Sequence, residues 1–403
     1  MKKIVFLGYI IPPEEAAASV AGNKMQWNML RYLSQWEDIE VSCVTVTPMA
    51  SFPCAHKIWS TYRIEEIFPG VLSHRVDFCN LPVIKQLWQT AAVYRKAKKV
   101  IRQTGADTVL TFNLFPQIGI PMRLLKRKYG VDTICLLADL PIDDTPNRGA
   151  FSRWLRNKFD KSTWKSMMYC DRYIALNEYA MQTYLPGKPY TIIDGGIEPS
   201  EYPEETIGWN GKEKNIIYTG ALVDYSGIMN LIAAMALLKD NSIVLDIYGD
   251  GALRPEIEAI AAHNPKIRYH GRVSNQEAMA AQQSAWLLAN PRPTQSHIAQ
   301  VTFPSKIFEY LMSGRPVMTT RLNGFSADYD QLLFWVEGNT PESLAEQINA
   351  INCMEDSALT QRAKDARTYL LNNKTWEQNA RKVHTFLFNT LGENNEPNCQ
   401  ASK

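Results

Sequence analysis

Residues 290–319 read NPRPTQSHIAQVTFPSKIFEYLMSGRPVMT, an order of residue types that spells a strand end, a long loop, a helix, a tight turn and a second strand. Pro304 and Ser305 can open the helix, expected over Ser305–Met312; Gly314 permits it to end, and Pro316–Thr319 re-enters a sheet. The first turn of a helix leaves backbone N–H groups without partners, and these suit a phosphate. Lys306 would add a full positive charge beside them. Glu309, one turn on, falls on the same helix face as Ser305. A carboxylate there can accept two hydroxyl hydrogen bonds from a ribose. Taken alone, the same residues also read as an ordinary helix start with a solvated lysine and a surface acid.

The same rhythm extends in both directions. Short apolar runs at Asn215–Thr219, Val244–Gly249, Ile267–His270, Ala285–Ala289 and Pro316–Thr319 read as strands, with helices at Gly227–Leu238 and Pro255–His263. Toward the N-terminus, strands are expected at Ile4–Tyr9, Glu40–Thr47, Thr108–Phe112, Thr133–Ala138, Arg172–Leu176 and Tyr190–Ile193. Helices are expected at Ala21–Leu33, Pro82–Gln103, Met122–Tyr129 and 151–168. This βα alternation marks parallel sheets covered by helices. The polar interval Glu198–Lys214 divides it, so two α/β blocks fit best, although a (β/α)₈ barrel has the same periodicity. Helices follow at 341–351, 357–371 and Thr375–Asn389, the last with Thr375 as N-cap and Glu377 in its first turn. Residues 391–403 are a polar tail that is expected to fray.

The chain has 403 residues and is 45% hydrophobic, enough for more than one large core. Its net charge of +2 is unevenly spread: residues 1–197 carry 25 Lys and Arg against 17 acids, and the remainder 18 against 24. No basic tail, zinc-finger pattern or RNA-binding signature points to nucleic acid. Seven cysteines form no CxxC pair and, with six histidines, no zinc spacing, which leads us to expect reduced thiols, no metal and a cytoplasmic location. The apolar start is short and followed by Pro12 and Pro13, so it reads as a buried strand rather than an export signal.

The order and spacing of several pieces resemble the family-4 retaining glycosyltransferases (glycosyl transferases group 1). The pieces are Ile4–Gly22, Tyr218–Leu222 with Gly227, Leu245–Gly249, His270–Val273, Asn290–Arg292, Phe303–Thr319 and Trp376-Glu377. The resemblance implies the GT-B fold, two Rossmann-like α/β domains facing across a cleft with a C-terminal helix crossing back. Residues 1–197 would form the acceptor-side domain, joined by a returning helix at about 375–390, and 198–374 the nucleotide-sugar-binding domain. It further implies transfer of a sugar from a nucleoside-diphosphate sugar to a saccharide or lipid-linked glycan acceptor, with retention, in polysaccharide or glycoconjugate biosynthesis. No further cofactor is expected.

Residue by residue, the resemblance assigns Glu309 to the donor ribose. The family's first signature glutamate falls on Val301, which cannot accept a hydrogen bond from the donor sugar; the backbone at Thr302 and Phe303 can approach the diphosphate instead. The family's arginine and lysine clamp falls on Ala221 and Ser226. Lys306, Arg292 and Arg272 are therefore the candidates to meet the leaving diphosphate, with Gly220, Ser305 and the helix-start Gly22 lining the donor. Asp139, beyond Thr133–Ala138, is the candidate for holding an acceptor hydroxyl, with Asp143 and Asp144 in the loop after it; Asn113, just beyond Thr108–Phe112, is another candidate acceptor contact. The substitutions at Val301, Ala221 and Ser226 keep one rival open, a catalytically silent nucleotide-sugar-binding homologue; a hydrolase or epimerase on the same fold is a second rival, which the glycosyltransferase-like placement of Glu309 disfavours. A dinucleotide-binding dehydrogenase is disfavoured, because no compact GxGxxG turn follows the first strand.

Arg123, Lys126, Arg127 and Lys128 cluster in one predicted helix, and Arg153, Arg156, Lys158, Lys161 and Lys165 recur near Trp154 and Trp164 in another. Such mixtures can rest on the anionic inner face of a cell membrane. They can equally be solvated basic faces over buried aromatic ones.

Overall fold

A computed structural model describes residues 1–12, 20–142, 150–206, 208, 209, 211, 213–295 and 297–389. Asp143, Asp144 and the tail 391–403 lie outside them.

The first lobe begins with β1 (Lys2–Gly8), α1 (Val20–Leu33) and β2 (Ile39–Thr45). Four strands that the sequence reading did not anticipate follow: β3 (Trp59–Ser60), β4 (Arg63–Phe68), β5 (Val71–Arg75) and β6 (Phe78–Cys79). They escaped notice because β4 is a largely exposed edge strand with two glutamates, and β3 and β6 are two residues each. Then come α2 (Ile84–Thr104), β7 (Thr108–Phe112), α3 (Pro116–Tyr129), β8 (Asp132–Leu137), α4 (Ala150–Tyr169), β9 (Arg172–Ala175), α5 (Glu178–Tyr184) and β10 (Tyr190–Ile192). Helix α3 starts six residues before its expected start, since Pro116 sits in the first turn where its missing N–H costs nothing, and Pro121 is tolerated one turn in. The sheet order is β10-β9-β8-β7-β1-β2-β5-β4, parallel except for β4.

The second lobe comprises β11 (Asn215–Thr219), α6 (Ile228–Met235), β12 (Val244–Tyr248), α7 (Arg254–His263), β13 (Ile267–Gly271), α8 (Asn275–Ser284), β14 (Leu287–Asn290), α9 (His297–Val301), α10 (Lys306–Met312), β15 (Val317–Thr320), β16 (Phe334–Val336), α11 (Pro341–Asn352) and α12 (Asp356–Asn373). Its all-parallel order, β13-β12-β11-β14-β15-β16, is doubly wound with β11 as first strand. Two separate sheets rule out the barrel that periodicity alone allowed. Each sheet is buried on both faces: Val5, Leu7, Val109 and Cys135 pack under α2–α4, while Ile4, Phe6, Leu110 and Ile134 face the opposite helical layer.

That opposite layer contains α13 (Trp376–Phe388), which crosses back to the first lobe and packs on α1. Thr375 caps it in a capping box with Gln378. At its far end the Arg172 guanidinium donates to the carbonyl oxygens of Phe386 (2.6 Å) and Asn389 (3.1 Å), supplying positive charge to a helix C-terminus. His384 stacks on Trp36 and lies 3.0 Å from both Asp38 carboxylate oxygens.

The two chain crossings between the lobes are stitched together. Ile197 N–H donates to Lys374 O and Trp376 N–H to Ile197 O. Beside this bridge, Asp194 accepts from Lys374 Nζ and Tyr329 Oη, both at 2.7 Å, and the charged pair is more than nine-tenths buried. Gly195 lets the crossing pass the Phe308 ring, where a Cβ would lie 2.5 Å from it. Asp194→Ala leaves the Lys374 ammonium buried without its partner and should destabilise the protein by roughly 3–5 kcal/mol. Thermal melting checks this, and adding Lys374→Met should recover much of the loss.

Candidate functional site

In the second lobe the strand order reverses between β11 and β14, and the loops leaving their carboxyl ends open a crevice there. The loops touch at backbone level. Gly227 has φ 75°, and a Cβ on it would stand 1.7 Å from Pro291 O, so only glycine fits. A cavity of about 320 Å³ is lined by Thr219, Gly220, Ala221, Tyr248, Gly249 and Arg272, among others.

Lys306 opens α10 and turns back toward β11. Its Nζ lies 4.1 Å from the centroid of the Tyr218 ring and packs against Gly220, where a Cβ would be 2.7 Å from it. Arg292, just past β14, is close enough for its charge to disfavour the Lys306 charge. Burial lowers the Arg292 pKa. For Lys306, burial likewise opposes the charge, but Tyr218 and Tyr310 outweigh it and the pKa is raised. Among the described residues, the Arg292 side chain donates one long hydrogen bond, 3.4 Å, to Thr302 Oγ1. Among the described residues neither cation has a carboxylate partner within salt-bridge distance. Two cations held together without a counter-ion form a site for an anion.

Glu309 is half-buried and, among the described residues, its carboxylate accepts no hydrogen bond. Burial raises its pKa; Lys24 and Lys306 pull it down, and Glu201 pushes it up. Lys24, on α1 of the first lobe, is itself held by Glu201 of the interlobe linker at 2.8 Å. Glu309 thus faces the junction of the lobes with its lone pairs unspent.

The structure separates the remaining candidates. Ser305 is exposed and makes no side-chain cap. The helix start is tight, with Ile307 N–H donating to Pro304 O and Phe308 N–H to Ser305 O, so two amides expected to be open are already used. The helix end therefore offers an anion fewer open amides than its sequence suggests. Phe303 buries its ring among Phe308, Phe325 and Tyr329, leaving only its backbone for a ligand. Thr302 O abuts Gly324. Val301 is buried in α9. Ser226 is also buried, and its Oγ accepts from Ile228 N–H. Arg272 stands exposed on the wall of the cavity beyond β11, β12 and β13, which Lys306, Arg292 and Glu309 do not line. Gly22 lies within the first turn of α1, at a helix start as read from the sequence, and its carbonyl accepts from Gln26.

In the first lobe, Asp139 and Asn113, chosen separately from the sequence, form one unit. The Asn113 amide donates to Asp139 Oδ2 (2.9 Å), and its oxygen accepts from the N–H groups of Ala138 and Asp139. Asn113 adopts φ 53°, a conformation asparagine tolerates better than most residues. Asp139 is open to solvent, yet the surrounding protein raises its pKa, with the Asn113 hydrogen bond acting in the opposite direction. Sequence reasoning missed Tyr218 beneath Lys306, and the hinge residues Asp194, Tyr329 and Lys374. A tyrosine within an apolar strand carries no signal of a neighbour 88 positions away.

A sequence profile described as "Glycosyl transferases group 1" matches residues 213–352. A comparison with curated proteins gives no match. Among solved structures, sucrose-phosphate synthase from Thermosynechococcus elongatus superposes with a TM-score of 0.69 at 15% identity, covering 96% of this chain and 98% of that one. HepE from Anabaena, in complex with UDP and glucose, gives 0.61 at 14% identity, over 96% and 99%. The catalytic domain of starch synthase IV from Arabidopsis thaliana, bound to ADP and acarbose, gives 0.66 at 10% identity, over 95% and 98%. The fold is GT-B: two Rossmann-like domains facing a cleft, with a C-terminal helix crossing back.

Because burial raises the Glu309 pKa, its ionised form costs folding free energy. The penalty is absent below the ordinary carboxyl range, where folded and unfolded states are both protonated, and complete above the raised folded pKa. Glu309→Gln should therefore melt higher than the parent protein at neutral pH, with the gap closing as pH falls through the carboxyl range. Paired melting curves across pH check this.

Proposed function

We propose that this protein is a retaining glycosyltransferase that moves a sugar from a nucleoside-diphosphate sugar to a hydroxyl of a saccharide or lipid-linked glycan acceptor in polysaccharide or glycoconjugate biosynthesis. The observation that carries the reading is the set Lys306, Arg292 and Glu309 at the switch-point crevice of a GT-B domain: among the described residues, the two cations have no carboxylate within salt-bridge distance and the Glu309 carboxylate accepts no hydrogen bond. The profile match over 213–352 and the nucleotide-bound structures of the same fold support it.

In this reading Glu309 accepts both ribose hydroxyls, and Lys306 and Arg292 hold the diphosphate, with Arg272, Gly220, Ser305, Gly22 and the backbone at Thr302 and Phe303 lining the donor. As the bond from the anomeric carbon to the diphosphate oxygen breaks, negative charge grows on the leaving group, and the two cations stabilise it where burial weakens screening by water. The acceptor hydroxyl forms the new bond on the face the diphosphate leaves, and its proton passes to a departing phosphate oxygen. Asp139, held by Asn113, orients that hydroxyl. Donor configuration is thereby retained without a protein nucleophile. Val301, Ala221 and Ser226, none of which offers the donor a charged group, favour as a second reading a silent nucleotide-sugar-binding homologue.

A panel of nucleotide sugars tested by thermal shift, followed by assay of nucleoside-diphosphate release with candidate acceptors, separates the readings. One donor should stabilise the protein, and Glu309→Gln should weaken that donor by about 10–100-fold, the value of charged hydrogen bonds. Donor binding unchanged in Glu309→Gln would remove the ribose assignment. Binding without acceptor-dependent release would favour the second reading. Asn113→Ala, which frees the Asp139 carboxylate, should lower turnover about 10-fold or more and leave donor affinity unchanged.

A further inference from the structure

Helices α2, α3 and α4 lie side by side over one face of the first sheet, α2 against α3 and α3 against α4. They carry 15 Lys and Arg, six, four and five in turn, against a single acid, Asp160. Of these only Lys85 is buried, bonded to Met49 O. Each helix runs antiparallel to the strands it connects, so all three start at the carboxyl end of the sheet, where Asp139 and Asn113 stand. At that same end the molecule exposes an apolar patch. Leu87 is 69% exposed and Trp59 53%, flanked by Ile58, Val83 and Ile84. The patch is built rather than incidental. Trp59 packs edge-on against Trp88 at 5.5 Å, tying β3 to the start of α2, and Asn80 bonds to the carbonyls of Ala50 and Lys57 in the segment before β3. Val83 sits at φ 65°, which a β-branched residue rarely adopts, immediately before the exposed turn.

We propose that the outer face of α2–α3–α4 docks on an anionic membrane surface, with Leu87, Ile84 and Trp59 entering the interfacial zone and the mouth of the cleft held at the bilayer. Basic charge in this excess supplies long-range attraction to acidic headgroups, and exposed aliphatic and indole groups at one end supply shallow insertion. Nucleic acid would use the charge but not the aliphatic side chains. Among the described residues no helix is long and apolar enough to cross a membrane, so the contact is peripheral. Where the transfer reading holds, this geometry selects an acceptor whose saccharide is anchored in lipid; the docking itself does not depend on that reading.

The test uses the full chain with phosphatidylcholine vesicles that contain or lack phosphatidylglycerol, at low and high salt. Binding is expected to the anionic vesicles at low salt only. Each surface cation contributes about fivefold, so Lys99→Glu with Arg127→Glu and Lys161→Glu, one change per helix, should weaken binding by about a hundredfold or more. Leu87→Ser with Trp59→Ser should weaken it by about tenfold. Melting temperature and donor-induced thermal shift should be unchanged in both variants, which separates failure of docking from failure of the transfer reading. Absence of binding to anionic vesicles at low salt overturns the proposal. So does binding that the triple reversal leaves intact, or tight binding to duplex DNA, insensitive to Leu87→Ser with Trp59→Ser, in place of vesicle binding.

Discussion

The two-lobed architecture depends on one buried junction. The chain passes between lobes at 193–198 and returns at 373–376, and both crossings are fastened to each other by the Ile197 backbone bridge and by Asp194, which holds Lys374 and Tyr329 at once. A buried ion pair adds little net stability compared with apolar packing, but it is intolerant of misplacement, because either charge alone is severely penalised. It therefore specifies where the crossings lie. Phe308 links this junction to the site: its ring rests on Gly195, and its neighbour in α10 is Glu309. The helix that carries Glu309 is thus seated on the hinge itself.

The crevice is a place where stability is given up. Lys306 and Arg292 repel each other, and Glu309 is kept in a setting that raises its pKa while, among the described residues, no donor satisfies it. A sequence selected for stability alone would supply a carboxylate to the cations and a donor to the glutamate. The pattern left open, positive charge at the strand ends and acceptor lone pairs one turn away, is what the proposed diphosphate and ribose would fill. On the first lobe the logic differs. Asp139 is oriented by Asn113 and remains open to solvent, as suits a group that meets an exchanging substrate.

Much of the fold was legible because buried parallel strands write themselves as short apolar runs. Thr108–Phe112 and Asn215–Thr219 were read to the residue, and the Thr375 cap was visible from its hydroxyl before a helical pattern. The exposed edge strand β4 and the two-residue strands β3 and β6 were not legible, since none buries enough apolar surface to show a period. At the site, Lys306, Arg292 and Glu309 were nameable from sequence, but their convergence was not. Gly220 and Gly227 permit it, and which backbone or side chain would fill the space left by a missing Cβ is a property of the assembled loops. The pairing of Asn113 with Asp139 bridges two neighbouring strands and leaves no local trace.

The measurement that tests the account most directly is a crystal structure of the full chain with a bound nucleoside diphosphate. The account predicts the diphosphate within hydrogen-bond distance of Lys306 Nζ and the Arg292 guanidinium, with both ribose hydroxyls on the Glu309 carboxylate. A nucleotide seated elsewhere, or one whose ribose turns away from Glu309 while the phosphates leave Lys306 and Arg292 unoccupied, would contradict it.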